Sequence, residues 1–190
     1  MSQTATLPWT ETGSAQLAQT RVFTAHAVDR VSPRTGRTHS FGIVQCPDWV
    51  NVVAVTADGQ AVLIEQYRHG TQTVTLEVPG GMIDAGESPI EAARRELLEE
   101  TGYGCTELRQ LGCVEPNPAI QTNRCYTFLA TGCTAVRATH FDATEDCALR
   151  LEPVGALPGL VQSGAITHAL VVAALAHAWL DGALPRAVSL

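Results

Sequence analysis

Charge is scarce in this sequence: Asp, Glu, Lys and Arg make up only 16% of its 190 residues, and the acids outnumber the bases, for a formal charge of −7. That balance argues against a nucleic acid as the main partner, because binding to a polyanion leans on basic patches, and neither such a patch nor a helix-turn-helix pattern is visible. The six cysteines (Cys46, Cys105, Cys113, Cys125, Cys133 and Cys147) form no CxxC and no Cys/His cluster at zinc spacing, so zinc is not expected. The start, MSQTATLPWTETGSAQ, lacks a basic region followed by an apolar core. The expectation is a cytoplasmic protein without a secretory signal, its thiols reduced. The most apolar stretch, Ala165 to Leu180, falls short of the ~20 residues a membrane span needs and contains His168 and His177, so it reads as a buried helix. Internal repeats and low-complexity tracts are also missing.

What is present describes a globular chain: 45% of the residues are hydrophobic, and the length suits one catalytic domain with a short extension. Residues 1 to about 18 are polar and small with no period, and read as a loosely docked arm anchored by Trp9. Arg21 to Val31 and Ser40 to Gln45 are β-like runs around SPRTGRTH, a hairpin candidate. Further strands are predicted over Asn51–Thr56, Ala61–Arg68, Thr73–Val78, Thr106–Val114, Arg124–Ala130 and Cys147–Val154, with a helical turn over Leu157–Gln162 and a closing helix over Ala165–Leu180. The predicted boundary lies at residue 45, with an arm and hairpin over 1–45 and a catalytic domain over 46–190.

Between these strands lies GMIDAGESPIEAARRELLEETGY, Gly81 to Tyr103. Ser88, Pro89 and Glu91 supply an N-cap hydroxyl, a proline at the first helical position and the returning carboxylate of a capping box. The helix should run from Ser88 to about Thr101 and close at Gly102 in the left-handed conformation. At ~100° per residue, Ile90, Ala93 and Leu97 form an apolar stripe while Glu96, Glu99 and Glu100 share another sector. Like charges at these spacings destabilise a helix by ~0.2–0.5 kcal/mol per pair. Two things relieve that: a solvated acidic face balanced by Arg94 and Arg95, or a bound hard divalent cation held by carboxylate and carbonyl oxygens, with Gly80-Gly81 allowing close backbone approach. Helix geometry alone leaves both open.

The same stretch resembles the Nudix box: Gly81, five residues, Glu87, seven residues, then Arg95-Glu96-Leu97-x-Glu99-Glu100-x-Gly102. Only the final aliphatic position departs, being Tyr103. Glu65-Gln66-Tyr67-Arg68 resembles the strand end that precedes the box in the ADP-ribose pyrophosphatase branch, and Pro118, 15 residues past the box, resembles that branch's proline marker. The surrounding Asn-Pro-Ala, where Ser-Pro-Gly is common, bears on the favoured sugar rather than on the reaction.

The resemblance implies an α/β/α sandwich with a mixed β-sheet, preceded here by a small N-terminal antiparallel β-hairpin. It implies hydrolysis of a nucleoside diphosphate sugar such as ADP-ribose, with Mg²⁺ or Mn²⁺ as cofactor. It assigns Glu96, Glu99 and Glu100 as metal ligands with the Gly81 carbonyl, Glu87 as an auxiliary acid, and Arg95 as the group that orients those carboxylates. Glu145, in the acidic loop from Thr134 to Asp146, becomes the general base; its plainer reading is a solvated loop acid. Arg68 reads either as a phosphate contact or as a surface arginine at a strand end. Glu77 is either a contact to substrate or metal, or a cross-strand partner for Arg68. A homodimer through the hairpin, no nucleic-acid partner and no membrane association complete the expectation. The alternatives are a nucleotide-sanitising or decapping enzyme, and a non-catalytic nucleotide sensor.

Overall fold

A computed structural model describes residues 6–139 and 147–185, which divide into two compact units: residues up to 47 with 115–123, and residues 48–114 with those from 124 onward. In the first unit β1 (Thr10–Gln19), β2 (Thr24–Val31) and β3 (Thr38–Gln45) form an antiparallel sheet in the order β1-β2-β3. The predicted hairpin is β2–β3, and most of the predicted arm is a third strand. Its polar residues carry no alternation because all but one position of β1 is exposed; the backbone ladder to β2 is joined by the Arg30–Glu11 ion pair (3.5 Å) and by Thr12 Oγ1 donating to the Asp29 carbonyl (3.3 Å). Residues 115–123 join this unit: the Val44 N–H donates to the Ile120 carbonyl (2.7 Å) and the Thr122 N–H to that of Val44 (3.2 Å).

In the second unit β4 (Trp49–Thr56), β5 (Gln60–Arg68), β8 (Tyr103–Gly104), β10 (Cys125–Ala135) and β11 (Cys147–Pro153) run in the order β11-β5-β4-β10-β8. Three further strands pair onto them: β6 (Thr73–Glu77) on β5, β7 (Gly80–Met82) on β4 and β9 (Glu107–Val114) on β10. The β4–β10 pair is parallel and the other pairs antiparallel, which makes the sheet mixed. Its centre is buried on both faces, as the near-continuous apolar run Val50–Val55 requires. Val50, Val52 and Ala54 pack with Val62, Phe128 and the helix α1 (Pro89–Thr101). Val53, Leu63 and Leu129 pack against the other face, under α2 (Leu157–Gln162) and α3 (Ala169–Asp181). This is an α/β/α sandwich. The closing helix starts four residues later than predicted because His168, its N-cap, is extended (ψ 117°). None of the described helices is long and apolar enough to cross a membrane.

Candidate active site

Helix α1 begins and ends as its sequence dictates. Ser88 is the extended N-cap with Pro89 next, Glu91 accepts the Ser88 N–H at 2.9 Å, and Gly102 closes the helix at φ 73°. Its buried face differs from the predicted stripe. Ala93 and Leu97 are buried, but Ile90 is 42% exposed and Ala92 takes its place. The sheet meets the side carrying Ala92, Ala93, Glu96, Leu97 and Glu100, so two of the three box glutamates lie on the packed face.

Two of those acids are held by β7 and Arg95. The Gly80 N–H donates to Glu100 Oε2 at 2.8 Å, and Glu100 is 2% exposed. A Cβ at Gly81 would overlap the Glu96 carboxylate where it stands, so glycine lets the backbone lie against that carboxylate without displacing it. Arg95 gathers the others. Its Nε and Nη2 fork onto Glu87 at 3.0 and 2.9 Å, Nη2 also donates to the Met82 carbonyl at 2.9 Å, and Nη1 reaches Glu96 at 2.8 Å and Glu99 at 3.3 Å. The pairing with Glu87 foremost holds the Arg95 guanidinium protonated, and in return holds the Glu87 carboxyl below the usual carboxylate range.

The structure thus brings Glu87, Glu96 and Glu99 together on Arg95 and turns Glu100 toward Gly80. Among the described residues no group of three or more His, Cys, Asp or Glu side chains is arranged to hold a metal ion. The like-charge cost of the helix is relieved here by the Arg95 guanidinium. A divalent cation still fits the donor chemistry: the groups are carboxylates beside the Gly81 backbone, and Glu99 keeps 38% of its side chain exposed beside a cavity of about 400 Å3 that Arg94, Leu98 and Arg137 also line.

A second cluster stands at the end of β5 and β6. Glu77 Oε1 accepts from Arg68 Nε (2.7 Å) and Thr75 Oγ1 (2.6 Å); Oε2 accepts from Arg68 Nη2 (2.7 Å) and His168 Nδ1 (2.9 Å). A carboxylate has about four lone-pair sites, and all are engaged. The structure thus places Glu77 as the cross-strand partner of Arg68, with both oxygens engaged by protein groups. Burial alone would raise its carboxyl, but the bonds from Arg68, His168 and Thr75 outweigh that and hold it well below the usual range. Arg68 remains 41% exposed. Reasoning from sequence missed His168 and Thr75: a histidine 91 residues away offers no local signal. Pro118 lies in the first unit, in the segment tied to β3. Glu145, with the neighbouring His140, Asp142 and Asp146, lies outside the described residues.

Residues 47–174 match the NUDIX domain. The chain is 30% identical over 183 residues to the ADP-ribose pyrophosphatase of Mycobacterium tuberculosis (strain ATCC 25618 / H37Rv), covering 93% of this chain and 87% of that one. It is 35% identical over 105 residues to the methanol dehydrogenase activator of Bacillus methanolicus, covering 55% and 57%. Among the first curated relatives it matches, this chain spans only 50% to 64% of their length. A solved structure described as an ADP compounds hydrolase superposes with a TM-score of 0.83 at 26% identity, covering 95% of this chain and 98% of the other. The match spans more than half of the sequence and contains both arginine–glutamate clusters, and the chain belongs to the Nudix family.

Proposed function

We propose that the protein hydrolyses the diphosphate bridge of ADP-ribose or a related nucleoside diphosphate sugar, releasing a nucleoside monophosphate and a sugar phosphate. The observation that carries this reading is the Arg95 lock: it fixes three box carboxylates and the Met82 carbonyl in one place, with Glu99 open to a cavity. The names of the relatives, ADP-ribose pyrophosphatase and ADP compounds hydrolase, support the substrate class.

Nudix hydrolases generally depend on a divalent metal, here proposed to be Mg²⁺ or Mn²⁺. Bound among Glu96, Glu99, Glu100 and the Gly81 carbonyl, with Glu87 as auxiliary, it would neutralise the diphosphate oxygens and acidify a water. The chain supplies the rest. Arg95 orients the carboxylates. Arg68, held by Glu77, offers a guanidinium to a phosphate oxygen, and Pro118 shapes the substrate loop. Glu145 takes the proton of the water that attacks phosphorus as the P–O bond of the bridge breaks.

The active form is proposed to be a cytoplasmic homodimer formed through the N-terminal sheet. Cys46, Cys105, Cys125 and Cys133 are free thiols, which suits a reducing compartment. β1 is exposed almost throughout and Leu17, Val22 and Phe41 are exposed, a surface that a second copy would cover. Sedimentation at a monomer mass would count against the dimer.

The test is product analysis with ADP-ribose, other nucleotide sugars and nucleoside triphosphates, each with Mg²⁺, Mn²⁺ or EDTA. Nucleotide sugars should be cleaved to two monophosphates only with metal, and Glu99→Gln should lower turnover by roughly 100-fold or more while the chain stays folded. Faster cleavage of triphosphates, or near-normal turnover by Glu99→Gln, overturns the reading.

A further inference from the structure

The first unit contains a cavity that the proposed reaction does not use. It measures about 720 Å3 and lies between the segment before β1 and the β2–β3 turn, with Trp9, Ser32, Arg34, Thr35, Arg37 and His39 among its lining residues. Among the described residues no acidic side chain lines it, in a chain whose formal charge is −7. Arg30, Arg68, Arg95, Arg109 and Arg150 each pair with a carboxylate, whereas among the described residues Arg34 and Arg37 pair with none, as is also the case for Arg21, Arg94, Arg124 and Arg137; only Arg34 and Arg37 share this cavity.

The turn that displays these two guanidinium groups is closed rather than loose. The Ser32 N–H donates to the Arg37 carbonyl (2.9 Å), the Gly36 N–H to that of Ser32 (2.8 Å), and the Thr35 N–H to Ser32 Oγ (3.3 Å), with Ser32 itself only 4% exposed. Such a turn loses little freedom when it takes up a ligand. Trp9 makes T-shaped contacts with His39 and Phe41, with ring centroids 5.7 and 5.4 Å away, and is 41% exposed. An exposed, propped indole beside two unpaired guanidinium groups and two hydroxyls matches one class of small molecule: a planar ring joined to a phosphate. Arginine forks suit phosphate oxygens, and a base stacks on an aromatic face.

We propose that this cavity is a nucleotide-binding site built wholly from the first unit, with the phosphate on Arg34 and Arg37 and the base against Trp9. Solvated arginines at a turn would show no preference for a base, and would bind inorganic phosphate and a nucleotide alike.

The experiment is calorimetry on the full-length protein in EDTA, with AMP as probe and adenosine and ribose 5-phosphate as its two halves, alongside tryptophan fluorescence. AMP should bind saturably and quench fluorescence, and each half should bind about tenfold more weakly or less. The Arg34→Gln/Arg37→Gln variant should weaken AMP by about tenfold or more, and Trp9→Phe should remove the quench. Metal-dependent hydrolysis by the double variant should stay within about twofold of wild type, which also shows that it folds. Arg68→Gln should leave AMP binding in EDTA unchanged, so failure here is separable from failure of the proposed reaction. No saturable AMP binding, equal binding of ribose 5-phosphate, an unaffected double variant, or loss of binding in Arg68→Gln would each overturn the proposal.

Discussion

Two arginine–glutamate clusters stand in one domain and are built to opposite ends. At Glu77 a single carboxylate, with 3% of its side chain exposed, is filled by Arg68, Thr75 and His168. At Arg95 the proportions reverse: one guanidinium serves Glu87, Glu96 and Glu99, whose exposures rise from 9% at Glu96 to 38% at Glu99. A buried charge whose bonds are complete is a fixed point that ties β5, β6 and the start of α3 together. A set of carboxylates sharing one cation, open at one edge, can exchange part of that cation's attention for another ion. The same two residue types thus give a carboxylate filled from all sides in one place and a set of carboxylates open at one edge in the other, and burial marks the difference.

The largest effect that would break this comparison is on stability. Arg68→Ala leaves the Glu77 carboxylate buried with only His168 and Thr75 as partners, and should cost about 3 kcal/mol in urea unfolding. Arg95→Ala should cost less, because Glu87 and Glu99 can turn toward water, while turnover falls far more than in a surface variant. Equal destabilisation by the two would erase the distinction between the filled and the open cluster.

A smaller effect is expected with pH. The Glu77 carboxyl is depressed in the folded chain against an ordinary value of 4.5, so the unfolded chain binds the proton first as pH falls. Its contribution is therefore complete above about pH 4.5 and is lost as pH drops from there through the depressed folded value. Glu87, also depressed, acts with the same sign. Glu77→Gln should flatten the fall in stability below pH 4.5 more than Glu87→Gln does; the reverse order would place the fixed charge in the wrong cluster.

How much of this the sequence revealed follows from how local each feature is. The bounds of α1 were legible because Ser88, Pro89 and Gly102 act within one turn of themselves. The face it buries was not: Ile90 and Ala92 are equally apolar in pattern, and the choice between them is made by the sheet. The burial of Glu96 and Glu100 was hidden for the same reason. β1 was invisible because a strand exposed on both sides has no hydrophobic period to show. The hold of His168 on Glu77 was beyond reach because the start of the closing helix meets the end of β6 across 91 residues with no local sequence relation.

The smallest effect separates the clusters by their foundations. The open cluster hangs on the first turn of α1, since Glu87 precedes the N-cap and Arg95 reaches back to it across eight residues. The filled cluster has no member on α1. Ser88→Ala removes the N-cap hydroxyl and should lower stability by about 1 kcal/mol. Fraying that turn should also loosen Glu87 from Arg95 and raise the Mg²⁺ concentration needed for half-maximal turnover, while the loss of stability below pH 4.5 that depends on Glu77 keeps its slope. Titration of activity with Mg²⁺ and urea unfolding across pH read both quantities on one variant, and a changed acid slope with unchanged metal dependence would show that the two clusters share a foundation after all.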